Sequence, residues 1–225
     1  MISTLIAMTA VGKVDRVADA YRAALPTVQF WCKQADIPYP PKRIFLRAFK
    51  LERTLEVWGS SSGRTPFKLL QALPIAAMSG TLGPKRMEGD GQVPEGVYFI
   101  NRFNPLSQFL LSLGLNYPNA SDVVQSDSAR PGGDIFIHGD RKSIGCLAMT
   151  DPVIQRIYIL CLEARNGGQA RIPVHIFPFR FRKPWPSRTF EAFWTQLEPI
   201  YSAFERTKMV PPVRINRSGE YSIGR

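Results

Sequence analysis

The chain has 225 residues, of which 44% are hydrophobic and 21% are charged, a composition typical of folded globular proteins. No run of about 18 apolar residues is present, so the sequence predicts no transmembrane segment. The 29 lysines and arginines exceed the 18 acidic residues by 11, which favours an anionic partner such as nucleic acid, acidic lipid or a carboxylate-rich wall polymer. No zinc-finger spacing, aromatic RNA-binding signature or Walker loop accompanies this charge, so we expect no nucleic acid partner.

The first predicted element is a helix over residues 14–35. Val17 and Tyr21 fall on one apolar face of this helix, and Pro26 is expected to break or kink it. The proline-rich stretch at 36–43 then predicts a stiff linker into the next region.

After the linker, the spacing of apolar residues changes from about four to two, which predicts strands. A long loop at 78–96 interrupts them, and such loops in compact domains usually carry function. Its glycines and Lys85 do not have Walker spacing, so we predict no phosphate loop. Residues 105–122 are predicted to hold a short helix and a turn. The predicted strands are 43–50, 54–59, 66–76, 97–103, 134–138 and 171–179.

Two more helices are predicted in the second half of the chain. One begins at Thr150 or Asp151, has Pro152 in its first turn and ends at Gly167. The other covers the aromatic-rich stretch 189–208, which we expect to pack against the core rather than bind a cofactor. Together these elements predict an α+β fold with a β-rich core and helices packed on it.

One of the three cysteines has a different setting from the others. The odd count excludes a disulfide scaffold, and Cys32 and Cys161 lie on apolar helical stretches. Cys146 follows Gly145 in a loop, eight positions after His138, one of only two histidines. An imidazole beside a thiol can generate a thiolate and later protonate a leaving amine. The pair therefore suggests nucleophilic catalysis, in which Gly145 lets a substrate carbonyl approach and frees backbone N–H groups for an oxyanion.

Other interpretations of His138 and Cys146 stay open at this point. A zinc site would need more ligands than His175 and scattered acids provide. A redox thiol would need a CxxC partner, which is absent. A buried structural pairing is compatible with the spacing, because His-x7-Cys is not by itself specific.

The stretch IHGDRKSIGC, residues 137–146, resembles the active-site signature of the L,D-transpeptidase catalytic domain family (YkuD type). That signature has a His-Gly pair followed by Ser-x-Gly-Cys. Residues 91–100, GQVPEGVYFI, resemble the Pro-x-Gly-aromatic strand start of the family, and SGTLGPK resembles the segment before it. The short interval between His138 and Cys146 and the sequence SIGC are most similar to the murein L,D-transpeptidase YafK-like branch. Members of this branch include hydrolases that detach lipoprotein from peptidoglycan.

The resemblance implies a domain division and a set of site residues. The catalytic core, with sandwich-like or barrel-like sheets, would cover residues 43–180, between an N-terminal helical extension at 1–42 and a C-terminal one at 181–225. Cys146 would be the nucleophile, and His138 the base, oriented by the carbonyl of Gly139. The implied oxyanion hole consists of the amides of Ile144, Gly145 and Cys146, and Ser143 would support the loop or contact substrate. Apart from the resemblance, the cations Arg141, Lys142 and Lys85 of the flanking loops are candidate substrate contacts.

The function implied by the resemblance is that of a thiol enzyme of the bacterial wall. Cys146 would attack the carbonyl at the L-centre of a diamino acid in a peptidoglycan stem peptide, form a thioester, and pass the acyl group to an amine or to water. We expect hydrolysis at least as often as cross-linking, because Ile144 and Ala148 stand where many members have His and Arg or Asn. No metal or organic cofactor is implied. The alternative is a non-catalytic wall-binding or scaffolding protein that keeps the fold.

The implied location is the bacterial cell envelope or periplasm, with stem peptides and wall-attached lipoprotein as partners. The N-terminal run MISTLIAMTAVGK has the apolar and small residues of an export signal but no Lys or Arg ahead of them. A processed or misassigned start explains this run equally well.

Overall fold

A curled eight-stranded sheet with flanking helices forms most of the computed structural model, which describes residues 15–126 and 129–224. The predicted export signal and the predicted helix start at Val14 lie outside the described residues. The elements are α1 (Arg16–Gln34), β1 (Arg43–Phe49), β2 (Thr54–Ser60), β3 (Lys68–Pro74), β4 (Gly96–Asn104), β5 (Ser112–Leu115), α2 (Ala120–Gln125), β6 (Phe136–His138), β7 (Leu147–Ala148), α3 (Asp151–Asn166), β8 (Ile172–Phe177), α4 (Glu191–Thr207), β9 (Val213–Ile215) and β10 (Tyr221–Ile223).

The large sheet has the order β3–β2–β1–β8–β4–β5–β6–β7, and β9 and β10 form a separate hairpin. The centre of the sheet combines distant parts of the chain, because β8 lies parallel to β1 and antiparallel to β4. At the other end, β5 pairs with β6 so that Ser112 is opposite His138, and β6 runs parallel to β7 so that His138 is beside Ala148. The α+β fold class is confirmed, with one curled sheet forming half a barrel.

The two helices α1 and α3 pack on each other and share the main hydrophobic core with the sheet. On α1 the fully buried positions Ala20, Ala24 and Val28 follow helical spacing. Pro26, expected to break or kink this helix, does not break it, because α1 continues from Arg16 to Gln34. Pro26 is on the exposed side, where water can bond the carbonyl that lacks its helical partner.

Within 105–122, which is predicted to hold a short helix and a turn, only residues 120–122 belong to a helix. The stretch 112–115 is strand β5, whose four residues SLGL are too few and too poor in β-branched side chains to be recognised as a strand. The short helix α2 begins later, after Asn119, whose side chain accepts hydrogen bonds from the N–H groups of Ser121 and Asp122. The β9–β10 hairpin was not predicted either.

A buried ion pair connects the long loop before β4 to the sheet and to α4. Lys50 Nζ lies 3.0 Å from Glu95 Oε1 and donates to the carbonyls of Gly83 at 2.7 Å and Val93 at 2.9 Å. The carboxylate of Glu95 also accepts from the Gly83 N–H at 2.7 Å and from Trp194 Nε1 at 2.8 Å. Burial lowers the pKa of Lys50, and the charge of Glu95 opposes this effect. Each polar atom of the pair is thus satisfied inside the protein.

The same contacts join α4, in the predicted C-terminal extension, to the predicted catalytic core. The helix α4 also buries Trp194, Leu197 and Ile200 in an aromatic cluster with Phe49 and Phe177 of the sheet. The predicted division at residues 1–42, 43–180 and 181–225 stays a prediction.

We expect Glu95→Ala to lower the free energy of unfolding by about 3–5 kcal/mol, because it leaves the Lys50 ammonium buried without its counter-ion. Urea denaturation of the full chain measures this loss. Asp19→Ala is the control, since Asp19 pairs with Arg22 at the surface and its loss should cost less than about 1 kcal/mol. Equal losses in the two variants would contradict a structural role for the Lys50–Glu95 pair.

Candidate active site

His138 ends strand β6 with a buried and firmly oriented imidazole. The residue is only 1% exposed, and its Nδ1 lies 2.6 Å from the carbonyl oxygen of Gly139. A carbonyl oxygen only accepts hydrogen bonds, so Nδ1 carries the proton and Nε2 keeps a free lone pair. The geometry thus presents Nε2 as a base.

The ring of Phe109 covers His138. The two rings are stacked, with centroids 4.4 Å apart and an interplanar angle of 26°. Burial lowers the pKa of His138, and the hydrogen bond to Gly139 and the charge of Asp140 only partly oppose this effect. The imidazole is therefore neutral at pH 7, in the form that accepts a proton.

Gly139 occupies a space that admits no side chain. A Cβ at this position would lie 2.5 Å from Asp151 Oδ1 and 2.6 Å from the Phe109 carbonyl oxygen. The Gly139 N–H donates to the same carbonyl of Phe109 at 3.2 Å, and the next N–H, of Asp140, donates to Asp151 Oδ1 at 2.8 Å. This close packing explains why glycine follows the histidine. The hydrogen bond between Asp140 and Asp151 joins the end of β6 to the start of α3.

The loop that carries Cys146 is held by two serine hydroxyls. Ser143 Oγ accepts from the Cys146 N–H at 3.1 Å and donates to the Cys146 carbonyl at 2.6 Å. Gly145 has a φ of +91°, which favours glycine, and its N–H donates to Ser79 Oγ at 2.6 Å. Ser143 is thus a loop-fixing residue in this structure. Ser79 was not among the predicted site residues, although it lies in the stretch SGTLGPK that resembles a segment of the family.

The sulfur of Cys146 contacts the main chain around the start of β6. Sγ accepts from the Phe136 N–H at 3.4 Å and lies 3.7 Å from the Asp134 carbonyl oxygen, to which the thiol donates. Burial raises the pKa of Cys146, with the Phe136 N–H and Lys85 opposing this effect and Asp134 adding to it. The resting group is a neutral thiol.

Cys146 and His138 line the same pocket, which has a volume of about 300 Å³. Leu106, Phe109 and Phe136 form parts of its walls. Within residues 15–126 and 129–224, the hydrogen bonds of Sγ go to the main chain of Phe136 and Asp134 and not to the imidazole. Such contacts often tighten only when substrate binds. A neutral thiol and a neutral imidazole facing one cavity are the groups that nucleophilic acyl transfer requires.

The predicted oxyanion hole differs from the observed arrangement. The N–H groups of Gly145 and Cys146 already donate to the hydroxyls of Ser79 and Ser143. In the described part of the chain, the Ile144 N–H has no acceptor. An arrangement with all three amides open is therefore not present in this structure, because two serine oxygens occupy the acceptor positions.

The residues predicted to contact substrate have very different surroundings. Lys85 is 5% exposed and is tied to Asp90 Oδ1 at 2.5 Å and to the Met87 carbonyl at 2.7 Å. It nevertheless borders a second pocket of about 270 Å³, which Ile144 also lines. Arg141 is exposed, and its guanidinium forms no ion pair with any residue that the structure describes.

The two positions that depart from the family signature are opposites in exposure. Ile144 is 86% exposed, so an apolar side chain projects into solvent two positions before the cysteine in the sequence. Ala148 is fully buried in β7. Residue 148 therefore lies in the protein interior in this structure.

His175, the other histidine, belongs to the interior of the protein. It is 1% exposed in β8, with its ring centroid 4.7 Å from that of Phe45, and burial lowers its pKa to about 3. The described residues contain no cluster of three or more His, Cys, Asp or Glu side chains arranged to hold a metal. No helix among the described residues has the length and apolar character needed to span a membrane.

Comparison with known proteins gives a family match and a related bacterial protein. Residues 43–176 match the YkuD family, the L,D-transpeptidase catalytic domain. Over 188 residues the chain is 35% identical to "Putative L,D-transpeptidase YafK" of Escherichia coli strain K12, which covers 81% of this chain and 74% of that protein.

Solved structures show weaker similarity. The helical cell shape determining protein Pgp2 of Campylobacter jejuni has 17% identity and a TM-score of 0.47 over 84% of this chain and 80% of its own. Its K307A mutant has 20% identity and a TM-score of 0.45, and the match spans 56% of that chain and 69% of this one. Bd1075 of Bdellovibrio bacteriovorus has 23% identity and a TM-score of 0.44 over 63% of this chain and half (50%) of its own.

We expect iodoacetamide to alkylate Cys146 before the other two cysteines of the folded protein. Cys146 lines an open pocket, whereas Cys32 is 1% exposed and Cys161 is 0% exposed. Burial raises the pKa of Cys32 to about 11 and raises that of Cys161 further, so both are poor nucleophiles at neutral pH.

Peptide mass mapping after short exposures measures this order. In Cys146→Ser the two remaining thiols should stay unmodified until urea unfolds the chain. Equal labelling of all three thiols in the folded protein would show that Cys146 has no special reactivity.

Proposed function

Because the chain belongs to the L,D-transpeptidase catalytic domain family, we propose that it is a cysteine-dependent enzyme that acts on peptidoglycan stem peptides. The observation that carries this proposal is the shared pocket of Cys146 and His138. The hydrogen bond from Nδ1 to the Gly139 carbonyl supports it further, because it leaves Nε2 free to take the thiol proton. A protein that only binds the wall has no need of this pair.

In the proposed first step, Nε2 of His138 takes the proton of Cys146 as the sulfur attacks the carbonyl carbon at the L-centre of a diamino acid. The carbonyl π electrons move to oxygen and give a tetrahedral oxyanion. The C–N bond then breaks, the leaving amine takes the proton from the imidazolium, and a thioester remains on Cys146.

In the proposed second step, water or an amine attacks the thioester carbonyl. The imidazole accepts a proton from the attacking group, and the departing sulfur takes a proton back as the thiol. Water releases the shortened stem peptide from Cys146, whereas a protein attached through the cleaved C–N bond has already left as the amine of the first step. An amine of another stem forms a cross-link.

The electrostatics favour a neutral pair at rest over a preformed thiolate–imidazolium pair. Burial raises the pKa of Cys146 and lowers that of His138, and both effects favour the uncharged form. Proton transfer would therefore accompany attack on a bound substrate. For the oxyanion, we propose the Ile144 N–H as the first donor, with Gly145 and Cys146 contributing once the serine hydroxyls move.

We propose hydrolysis as the main outcome. Retaining an acceptor stem requires a fixed cation near the thiol for its carboxylates. Lys85 is neutralised by Asp90, while Arg141 extends from an exposed loop. Ile144 offers only apolar surface. Water therefore competes well for the thioester. The proposed location is the cell envelope or periplasm, and the proposed partners are stem peptides and wall-attached lipoprotein.

Incubation of the full chain with purified sacculi, followed by mass spectrometry of the soluble products, tests the proposal. We expect shortened stems or released wall-linked peptide in the wild type, with and without added acceptor amine. His138→Gln should lower the rate by about a hundredfold or more, because it removes the general base. The matched control His175→Gln, also at a buried histidine, should retain activity in the fraction that folds.

Two results would contradict the proposal in different ways. Dominant new cross-linked dimers with little hydrolysed stem would show that transfer is the main reaction. Binding to sacculi without any acylation of Cys146 would favour the non-catalytic alternative.

We expect the acid limb of the pH–rate profile to lie below pH 6.5, the ordinary pKa of histidine. His138 must be neutral to act as a base, and its lowered pKa keeps it neutral at mildly acidic pH. Activity should therefore be retained as the pH falls through 6.5 and be lost only when the lowered pKa is reached. Measuring kcat/KM across this range tests the prediction, and a midpoint above 6.5 would contradict it.

A further inference from the structure

Arg16, the first residue of α1, reaches from the helix into the wall of the active-site pocket. Its Nη1 donates to the Ser107 carbonyl at 2.6 Å and to the Leu110 carbonyl at 3.2 Å. These two carbonyls flank Phe109, whose ring covers His138. A single guanidinium therefore ties the N-terminal helix to the loop at 106–111.

The loop at 106–111 includes a strained residue that contacts from outside the loop help to hold. Leu110 has a φ of +67°, a left-handed conformation that costs a residue with a side chain about 1 kcal/mol or more and persists only when its surroundings fix it. Leu106, at the start of the loop, is 75% exposed and contributes little packing. The Phe109 N–H bonds within the loop, to Ser107 Oγ at 3.1 Å. Arg16 thus supplies contacts from outside the loop.

Phe109 makes two separate contacts with the catalytic turn. Its ring lies on the imidazole, and its carbonyl accepts from the Gly139 N–H at 3.2 Å. The carbonyl of Gly139 in turn accepts the hydrogen bond from Nδ1 of His138. A displacement of the loop would therefore uncover the imidazole and loosen the residue that orients it.

We propose that Arg16 is a positioning residue for the thiol–imidazole pair, holding the loop at 106–111 so that Phe109 stays on His138. Its effect on turnover rests on the proposed function, but the coupling between Arg16 and His138 is measurable without any substrate. The charged and titratable groups around the imidazole are Cys146 in the pocket, Asp140 in the turn and Asp151 at the start of α3. None of these groups is changed by a substitution at Arg16.

Because the chain has only two histidines, proton NMR of the imidazoles gives a direct test. In Arg16→Met, which keeps an unbranched apolar stem and removes the donors, the His138 ring signals should shift as the stacked Phe109 moves away. The pKa from the titration of His138 should rise towards 6.5, because the ring gains contact with water. The signals of His175, buried in β8, serve as an internal reference and should not move.

Arg16→Lys should restore the wild-type His138 signals in part, since an ammonium can still donate to the Ser107 carbonyl. Arg22→Met is the matched control on the same helix, because Arg22 pairs at the surface with Asp19. With a stem-peptide substrate, Arg16→Met should lower kcat by about tenfold or more and leave KM within about twofold, as expected for misplaced catalytic groups.

Unchanged His138 signals in Arg16→Met would overturn the proposal. Equal shifts at His138 and His175 would also overturn it, because they would indicate a general loss of structure. A wild-type protein inactive on wall peptides would instead contradict the proposed function, while the selective NMR response would still establish the coupling.

Discussion

The absence of a side chain at residue 139 is the constraint on which the site depends. The backbone at this position lies so close to Asp151 and to the Phe109 carbonyl that even a methyl group would overlap both. As a result, three segments meet within hydrogen-bond distance: the end of β6, the start of α3 and the loop before β5. The same residue supplies the carbonyl that fixes the tautomer of His138. The histidine is therefore oriented by tightly packed main chain, without a carboxylate side chain at Nδ1.

The strands and helices with clear periodicity could be predicted, whereas elements defined by tertiary contacts could not. The helix α3 begins and ends where its capping residues indicate, and β1 and β2 follow the alternating stretches closely. The strand β5 was missed because its four residues, SLGL, are too few to establish a period and include no β-branched or aromatic side chain. The sequence also gave no sign that Pro26 lies on the exposed side of α1, which depends on how that helix packs.

In the candidate site, too, some features could be predicted from the sequence and others could not. The rarity of His138 and Cys146 and their glycine neighbours were visible in the sequence, and the structure brings both residues to one pocket. The role of Ser79 was not visible, because its contact with Gly145 joins residues 66 positions apart. Net charge was a poor guide to the surface near the thiol, since Lys85 is paired with Asp90 and the cations Arg47 and Lys50 are buried in ion pairs. In the formal charge, each of these cations is cancelled by its acidic partner, so the excess of 11 lies on other residues.

The position of β8 in the sheet has a consequence for the order of assembly. The strands β1 and β4 border β8 on either side, so neither has its inner neighbour until that late segment arrives. Pairing Leu46 with Val174 closes a very long loop of chain, and the entropy of such closure slows folding. The strands β1 and β4 thus each keep an unpaired edge until residues 172–177 have been synthesised. Such an edge can pair with another chain, so this topology is open to mispairing during that interval.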